Sequence, residues 1–247
     1  MIRTIAWREF RTLFLSPLAW VILAVVQMIL SYLFLGHVEQ YLQWQSQLLG
    51  MADAPGLTEI IVAPLFGNAA IILLLVVPLI TMRLVSEERR NRTLSLLFSA
   101  PVTMTEIVLG KYLGIVFFLM LVLFMITLMP LSLLAGGSID FGLLAAGVLG
   151  LGLMLAAFAA VGLFMSTLTQ TPTVAAISSF GVALLFWILD LSGSGDESLL
   201  AYMSLLNHYE PFLRGVFDSA DAIYLLLFIT TFLVMSVRRL DADRLGG

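Results

Sequence analysis

Long apolar runs separated by short polar intervals set the architecture of this chain. An apolar helix needs about 20 residues to cross roughly 30 Å of hydrocarbon. That ruler finds six runs, Pro17 to Gly36, Ile60 to Met82, Leu113 to Ala135, Phe141 to Leu163, Val174 to Leu191 and Ala222 to Val237, the fifth being the shortest. Ahead of them, Ile2, Ile5, Ala6, Phe10, Leu13 and Phe14 recur at helical spacing, with Arg3, Arg8, Glu9 and Arg11 opposite. This predicts an amphipathic helix over residues 1–16, lying in the headgroup plane with its apolar face down, before Pro17 turns the chain into the bilayer. A cleavable leader is not expected, because the run is too long and HVEQ after Gly36 offers no small-residue cleavage site. Between the fifth and sixth runs, SGSGDES leads into LLAYMSLLNHYEPFLRGVFDSAD, too polar to cross and too apolar to float in water. A short interfacial or re-entrant helical pair is predicted there. The expected fold class is all-α: a polytopic membrane protein with six transmembrane helices, forming a single transmembrane domain over residues 1–247.

Composition agrees. Charged residues make up 11% of the chain and hydrophobic ones 61%, against about 25% charged in an ordinary soluble domain. A net charge of −4 leaves no basic excess to neutralise phosphates, which argues against a nucleic-acid partner. Cysteine is absent, so disulfide, thiolate and Cys-ligated metal chemistry are excluded. His37 and His208 lie far apart without ligand-like company and read as loop histidines rather than a metal site.

Eleven of the twelve basic residues precede the first run, fill the second-to-third connection or follow the sixth, and only Arg214 falls opposite. Lysine and arginine are retained in cytoplasmic loops, so both termini are expected in the cytoplasm. No ionisable residue sits in the middle of a run, and Asp190 falls at an end. That argues against an ion-coupled carrier or proton pump, which need such groups at depth. Gln27 and Asn68 read as interhelical hydrogen bonders. The fourth run carries Gly142, Ala146, Gly150, Gly152, Ala156 and Ala160, small residues that let helices approach closely inside one subunit or across a homodimer. Pro78 and Pro130 could mark bending points.

One interval departs from the rest. Arg83 to Tyr112 reads RLVSEERRNRTLSLLFSAPVTMTEIVLGKY, holding Glu87, Glu88, Arg89, Arg90 and Arg92. One reading is a solvated connection whose charges only fix topology. The other rests on Thr93 as a helix start, followed by Leu94, Leu96, Leu97 and Phe98 before Pro101. Apolar knobs rimmed with charge are what a protein groove recognises.

The stretch SEERRNRTLSLLFSAPVTMTEIVLGKYLG resembles the coupling region of ABC-2 type transporter permeases, at Glu87, Glu88, Arg89, Thr93, Leu94, Leu97, Pro101, Ile107, Gly110 and Lys111. The later LNHYEPFLRGVFDSADAIY, with His208, Glu210, Phe212, Arg214, Gly215 and Asp218, is similar to the segment before the last span in the gliding-motility permease branch. Arg92 departs from the pattern, since relatives commonly carry Gly before the Thr.

The resemblance implies a half-transporter in a bacterial inner membrane. It would pair with a second permease, identical or related, and rest its coupling region, including Arg90 and Phe98, on a separate ATP-binding-cassette subunit. The chain itself would bind no cofactor, ATP and magnesium belonging to that subunit, since no G-x-x-x-x-G-K-[ST] loop exists here. Gly110-Lys111 then reads as a membrane-edge anchor. Export is the expected direction. The alternative is a non-transporting membrane subunit that passes ATPase-driven force to an extracytoplasmic or auxiliary partner. Neither reading makes the chain an enzyme.

Overall fold

The structure, a computed structural model, describes residues 1–48, 56–93, 102–135, 139–189 and 202–246. All regular elements among them are helices: α1 (Ile2–Leu15), α2 (Pro17–Leu48), α3 (Leu57–Thr81), α4 (Ser86–Arg90), α5 (Met104–Ser132), α6 (Phe141–Leu168), α7 (Pro172–Ile188), α8 (Leu205–Leu213) and α9 (Ser219–Gly246), with a 3-10 turn at Leu133–Ala135.

Small residues make α6 the axis of the bundle. A Cβ on Gly147 would lie 2.5 Å from the Phe66 ring of α3, one on Gly150 would lie 2.5 Å from Phe212 Cβ of α8, and one on Gly162 would lie 2.0 Å from Thr81 Oγ1. Of the small residues singled out in the fourth run, Gly150 admits α8, whereas Gly147 and Gly162, which admit α3, lie outside that set, and Gly142 is exposed.

Among the described residues, five helices are long and apolar enough to cross a bilayer, Pro17–Trp44, Leu57–Arg90, Met104–Ser132, Phe141–Leu168 and Ser219–Leu245. The expected fifth span, α7, is a 17-residue helix. At 1.5 Å per residue this described part reaches about 25 Å, so among the described residues five helices, not six, have the length of a full crossing. Elsewhere the helices outrun the apolar runs. The capping box of Thr103 and Glu106 starts α5 well before Leu113, and α2 continues past Gly36 through His37 and Glu39. Pro78 and Pro130 lie inside continuous helices.

In the connection before α9, the described residues hold the short helix α8 and, at Tyr202, the end of a helical turn; the rest of the expected pair lies outside the described residues. Helix α8 is plugged into the bundle. Leu205, Tyr209 and Phe212 are fully buried, and the Tyr209 hydroxyl donates to the Phe66 carbonyl at 3.0 Å. Phe212 meets Gly150 nine residues beyond the start of α6, about 14 Å along the helix axis. Burial pushes the Tyr209 phenol well above its ordinary range. Gly215, at φ +77°, ends α8 in the left-handed conformation, with its N–H on the Phe212 carbonyl and the Val216 N–H on that of Pro211. This is a Schellman cap.

Helix α1 corrects an expectation. Ile5 faces Gly110, Glu9 and Ala6 face Gly114, and the Phe14 and Phe118 rings meet with centroids 5.6 Å apart. Both sequences advance together, so α1 lies lengthwise and parallel along the first turns of α5, not across the end of the bundle.

Candidate functional site

The site begins at the break between α3 and α4. Leaving α3 strands backbone groups that need partners in a buried setting. The fully buried Ser166 of α6 supplies them: its Oγ accepts from the N–H of Val85 at 3.0 Å and of Ser86 at 3.1 Å, and donates to the Met82 carbonyl at 3.0 Å. All the hydrogen-bonding capacity of one hydroxyl is used, and α4 is pinned to the end of α6.

Helix α4 has two faces. Glu88 and Arg89 turn inward, whereas Glu87 and Arg90 are exposed. The Glu88 Oε1 accepts from Lys111 Nζ of α5 at 2.7 Å, and Glu9 Oε1 of α1 accepts from the same ammonium at 3.0 Å. Lys111 is only 4% exposed at its side chain, so the two carboxylates answer the cost of burying its charge. Arg89 pairs with Asp243 of α9, and Arg239 lies 3.5 Å from the other oxygen of Asp243. Four helices, α1, α4, α5 and α9, are thereby tied at one end of the bundle. The terminal amino group of Met1, 3.8 Å from Glu106, adds an exposed contact there.

The turn that closes α4 explains the unusual residue before Thr93. Arg92 has φ +56°. Its N–H bonds to the Arg89 carbonyl, and the Thr93 N–H bonds to that of Glu88, the same Schellman pattern that Gly215 completes in α8. The Thr93 hydroxyl also donates to the Glu88 carbonyl at 3.2 Å. Thr93 thus finishes a helix. Beside the exposed face of α4 lies a polar cleft of about 440 Å³, bounded by Arg83, Glu87, Arg90 and Asn91 and, from the first turn of α7, Pro172 and Thr173.

The structure thus brings Glu87, Glu88, Arg89, Arg90, Thr93, Gly110 and Lys111 to one end. Leu94, Leu97, Phe98 and Pro101 lie outside the described residues. Two residues gain a role. Lys111, read as a membrane-edge anchor, is also an internal bridge between Glu9 and Glu88, and Gly110 is a seat for α1, where a Cβ would lie 2.6 Å from Ile5 Cβ. Arg89 is occupied within the chain, whereas Arg90 is on the surface.

The second group sits at α8. His208 contacts Asp221 Oδ1 at 2.6 Å and the Tyr202 carbonyl at 2.9 Å through its two ring nitrogens, and stacks on Tyr224 at 3.9 Å. It fastens α8 to α9. Glu210 and Arg214 form an exposed pair one turn apart, at 2.6 Å. His37 also lies in a helix, 3.3 Å from Asn68 across the α2 and α3 contact. Neither histidine is a loop residue.

Sequence reasoning missed Glu9, Ser166 and Asp243 as parts of the site. No local signal marks a distant carboxylate or serine, but Thr103-x-x-Glu106 was a legible capping box.

Long apolar helices around a closely packed axis, with a charged connection tied into the bundle at one end, define a polytopic integral membrane protein. The family model described as ABC-2 family transporter protein matches residues 3–243, so the chain belongs to that family and is an ABC transporter permease. Comparison with curated proteins gives no match. Membership carries association with an ABC ATPase subunit, and permeases of this family are typically non-catalytic membrane subunits.

Proposed function

We propose that the chain is a half-permease whose basic end faces the cytoplasm of a bacterial cell, with both termini on that side. There a separate ATP-binding subunit docks and drives a substrate outward. The observation that supports this most is the two-faced α4, whose inner residues Glu88 and Arg89 are ion-paired to α5 and α9 while Glu87 and Arg90 stay exposed. A displacement of α4 passes through Lys111 to α1 and α5, through Arg89 and Asp243 to α9, and through Ser166 to α6. The coupling is a shift between two packed arrangements. ATP and magnesium are held by the partner, and two permeases, identical or related, flank the path.

The outer-end stretch around His208, Glu210, Arg214 and Gly215, with its likeness to gliding-motility permeases, favours a second reading in which the same handle moves an extracytoplasmic partner instead of a substrate. Substrate-stimulated ATP hydrolysis in a reconstituted complex favours the first reading, and stimulation by an outer-surface protein alone favours the second. The docking itself is tested by Leu94→Asp with Leu97→Asp. The variant is expected to insert normally but lose copurification with the ATP-binding subunit, and a normal complex would contradict the proposal.

A further inference from the structure

We propose that the groove between α1 and α5 is a binding site for one anionic phospholipid, with its phosphate at Arg3 and an acyl chain laid along the helix pair. The groove holds about 970 Å³ and is bounded by Arg3, Thr4, Trp7 and Phe10 of α1 and by Phe117, Met120 and Leu121 of α5. Its polarity is graded. Arg3 and Thr4 supply the polar groups at the basic end, and everything beyond them is apolar.

The dimensions fit one leaflet. The seating of Ile5 on Gly110 places Arg3 near position 108, so Leu121 lies about 20 Å further along α5. Half of a hydrocarbon core of roughly 30 Å is about 15 Å, which leaves the remainder for the headgroup region. The groove exists because Gly110, Gly114 and the Lys111 to Glu9 pair draw one flank of α1 onto α5, leaving the flank of Arg3, Trp7 and Phe10 open.

Charge selects the occupant. Arg3 is exposed and belongs to no ion pair among the described residues. A guanidinium fork matches a phosphate through paired hydrogen bonds. A second copy of the chain is a poorer match: among the described carboxylates at this end Glu9, Glu88, Glu106 and Asp243 are already ion-paired, Glu87 lines a cleft with Arg83 and Arg90, and Asp241 is half-buried. Trp7, 66% exposed, stands where an indole belongs at a membrane interface.

The test uses the full chain in phosphatidylcholine vesicles, with Trp20, Trp44 and Trp187 replaced by Phe so that Trp7 reports alone. Equal small fractions of brominated phosphatidylglycerol or brominated phosphatidylcholine are then compared as quenchers. The site predicts about fivefold enrichment of the anionic lipid at Trp7, corresponding to about 1 kcal/mol for one arginine. Arg3→Gln should abolish the preference, Arg3→Lys should keep most of it, and a variant retaining only Trp20 should show none. Equal quenching of Trp7 by both lipids, or a preference that survives Arg3→Gln, would overturn the proposal. So would absence of quenching by either, the result expected if a second copy covers the groove. Native mass spectrometry of the chain with all four tryptophans supplies an independent reading: a retained phosphatidylglycerol adduct that disappears in Arg3→Gln supports the site, and an adduct unchanged by that substitution contradicts it.

Discussion

The Lys111 ammonium stands 2.7 Å from the Glu88 carboxylate and 3.0 Å from that of Glu9, so one buried cation joins α4 and α5, consecutive among the described helices, to α1, whose Glu9 lies 102 residues before Lys111 in sequence. Removing it leaves two partly buried carboxylates without their partner. Lys111→Met is expected to lower stability by about 3 kcal/mol, read as a fall in the thermal midpoint of the purified chain. Adding Glu9→Gln and Glu88→Gln to that variant should recover part of the loss. An unchanged midpoint in the single variant would show that the bridge contributes nothing.

The seat of α1 can be tested by labelling. A Cβ on Gly114 would lie 2.7 Å from Glu9 Cβ and 2.9 Å from the Ala6 carbonyl oxygen, and backbone cannot move aside as a flexible side chain can. Gly114→Val should therefore push α1 away from α5. Because the chain has no cysteine, Ala6→Cys, at a position 2% exposed, should resist maleimide in the otherwise unchanged chain and react readily beside Gly114→Val. Equal reactivity in both would contradict the packing.

Gly150 and Phe212 form a knob and hole between α6 and α8. Gly150→Ala alone overpacks and should cost about 1 to 3 kcal/mol, while Phe212→Ala alone leaves a cavity and should cost about 3 to 5 kcal/mol. The double variant should lose less than the sum, because the new methyl enters the space the ring vacates. Additive losses in thermal unfolding would count against direct contact.

Arg92 adopts the conformation that Gly215 adopts at the end of α8, and the left-handed region penalises a side chain by about 1 to 2 kcal/mol. Glycine is more flexible when unfolded, which offsets about 0.5 to 1 kcal/mol. Arg92→Gly should thus be slightly more stable than Arg92→Ala, which loses the same side chain but keeps a Cβ, and Arg92→Val, whose branched Cβ fits the region worst, should be the least stable of the three. A more stable Val variant would show that the turn is not held as described.

How much of this was legible follows from the range of each signal. Apolar runs are local, so the helices were read from sequence, and on α6 the close approach at Gly150 was legible while those at Gly147 and Gly162 were not. Helix ends were less legible, because polar residues such as His37 and Glu39 continue α2 without interrupting its hydrogen bonds. Lys111, Glu88, Glu9, Arg89 and Asp243 were visible only as charges near an edge. Their pairing spans most of the chain, and no sequence period encodes which carboxylate a buried lysine will find. The two faces of α4 followed only once its neighbours were in place.

In the function proposed above, a separate ATP-binding subunit acts on the basic end through the exposed face of α4. The most direct measurement places a single cysteine at Arg90 and follows its modification by a membrane-impermeant maleimide. The account predicts no labelling from outside intact cells, ready labelling in inverted membrane vesicles lacking the ATP-binding subunit, and protection when that subunit is coexpressed. Labelling from outside intact cells, or labelling in inverted vesicles that the subunit leaves unchanged, would contradict it.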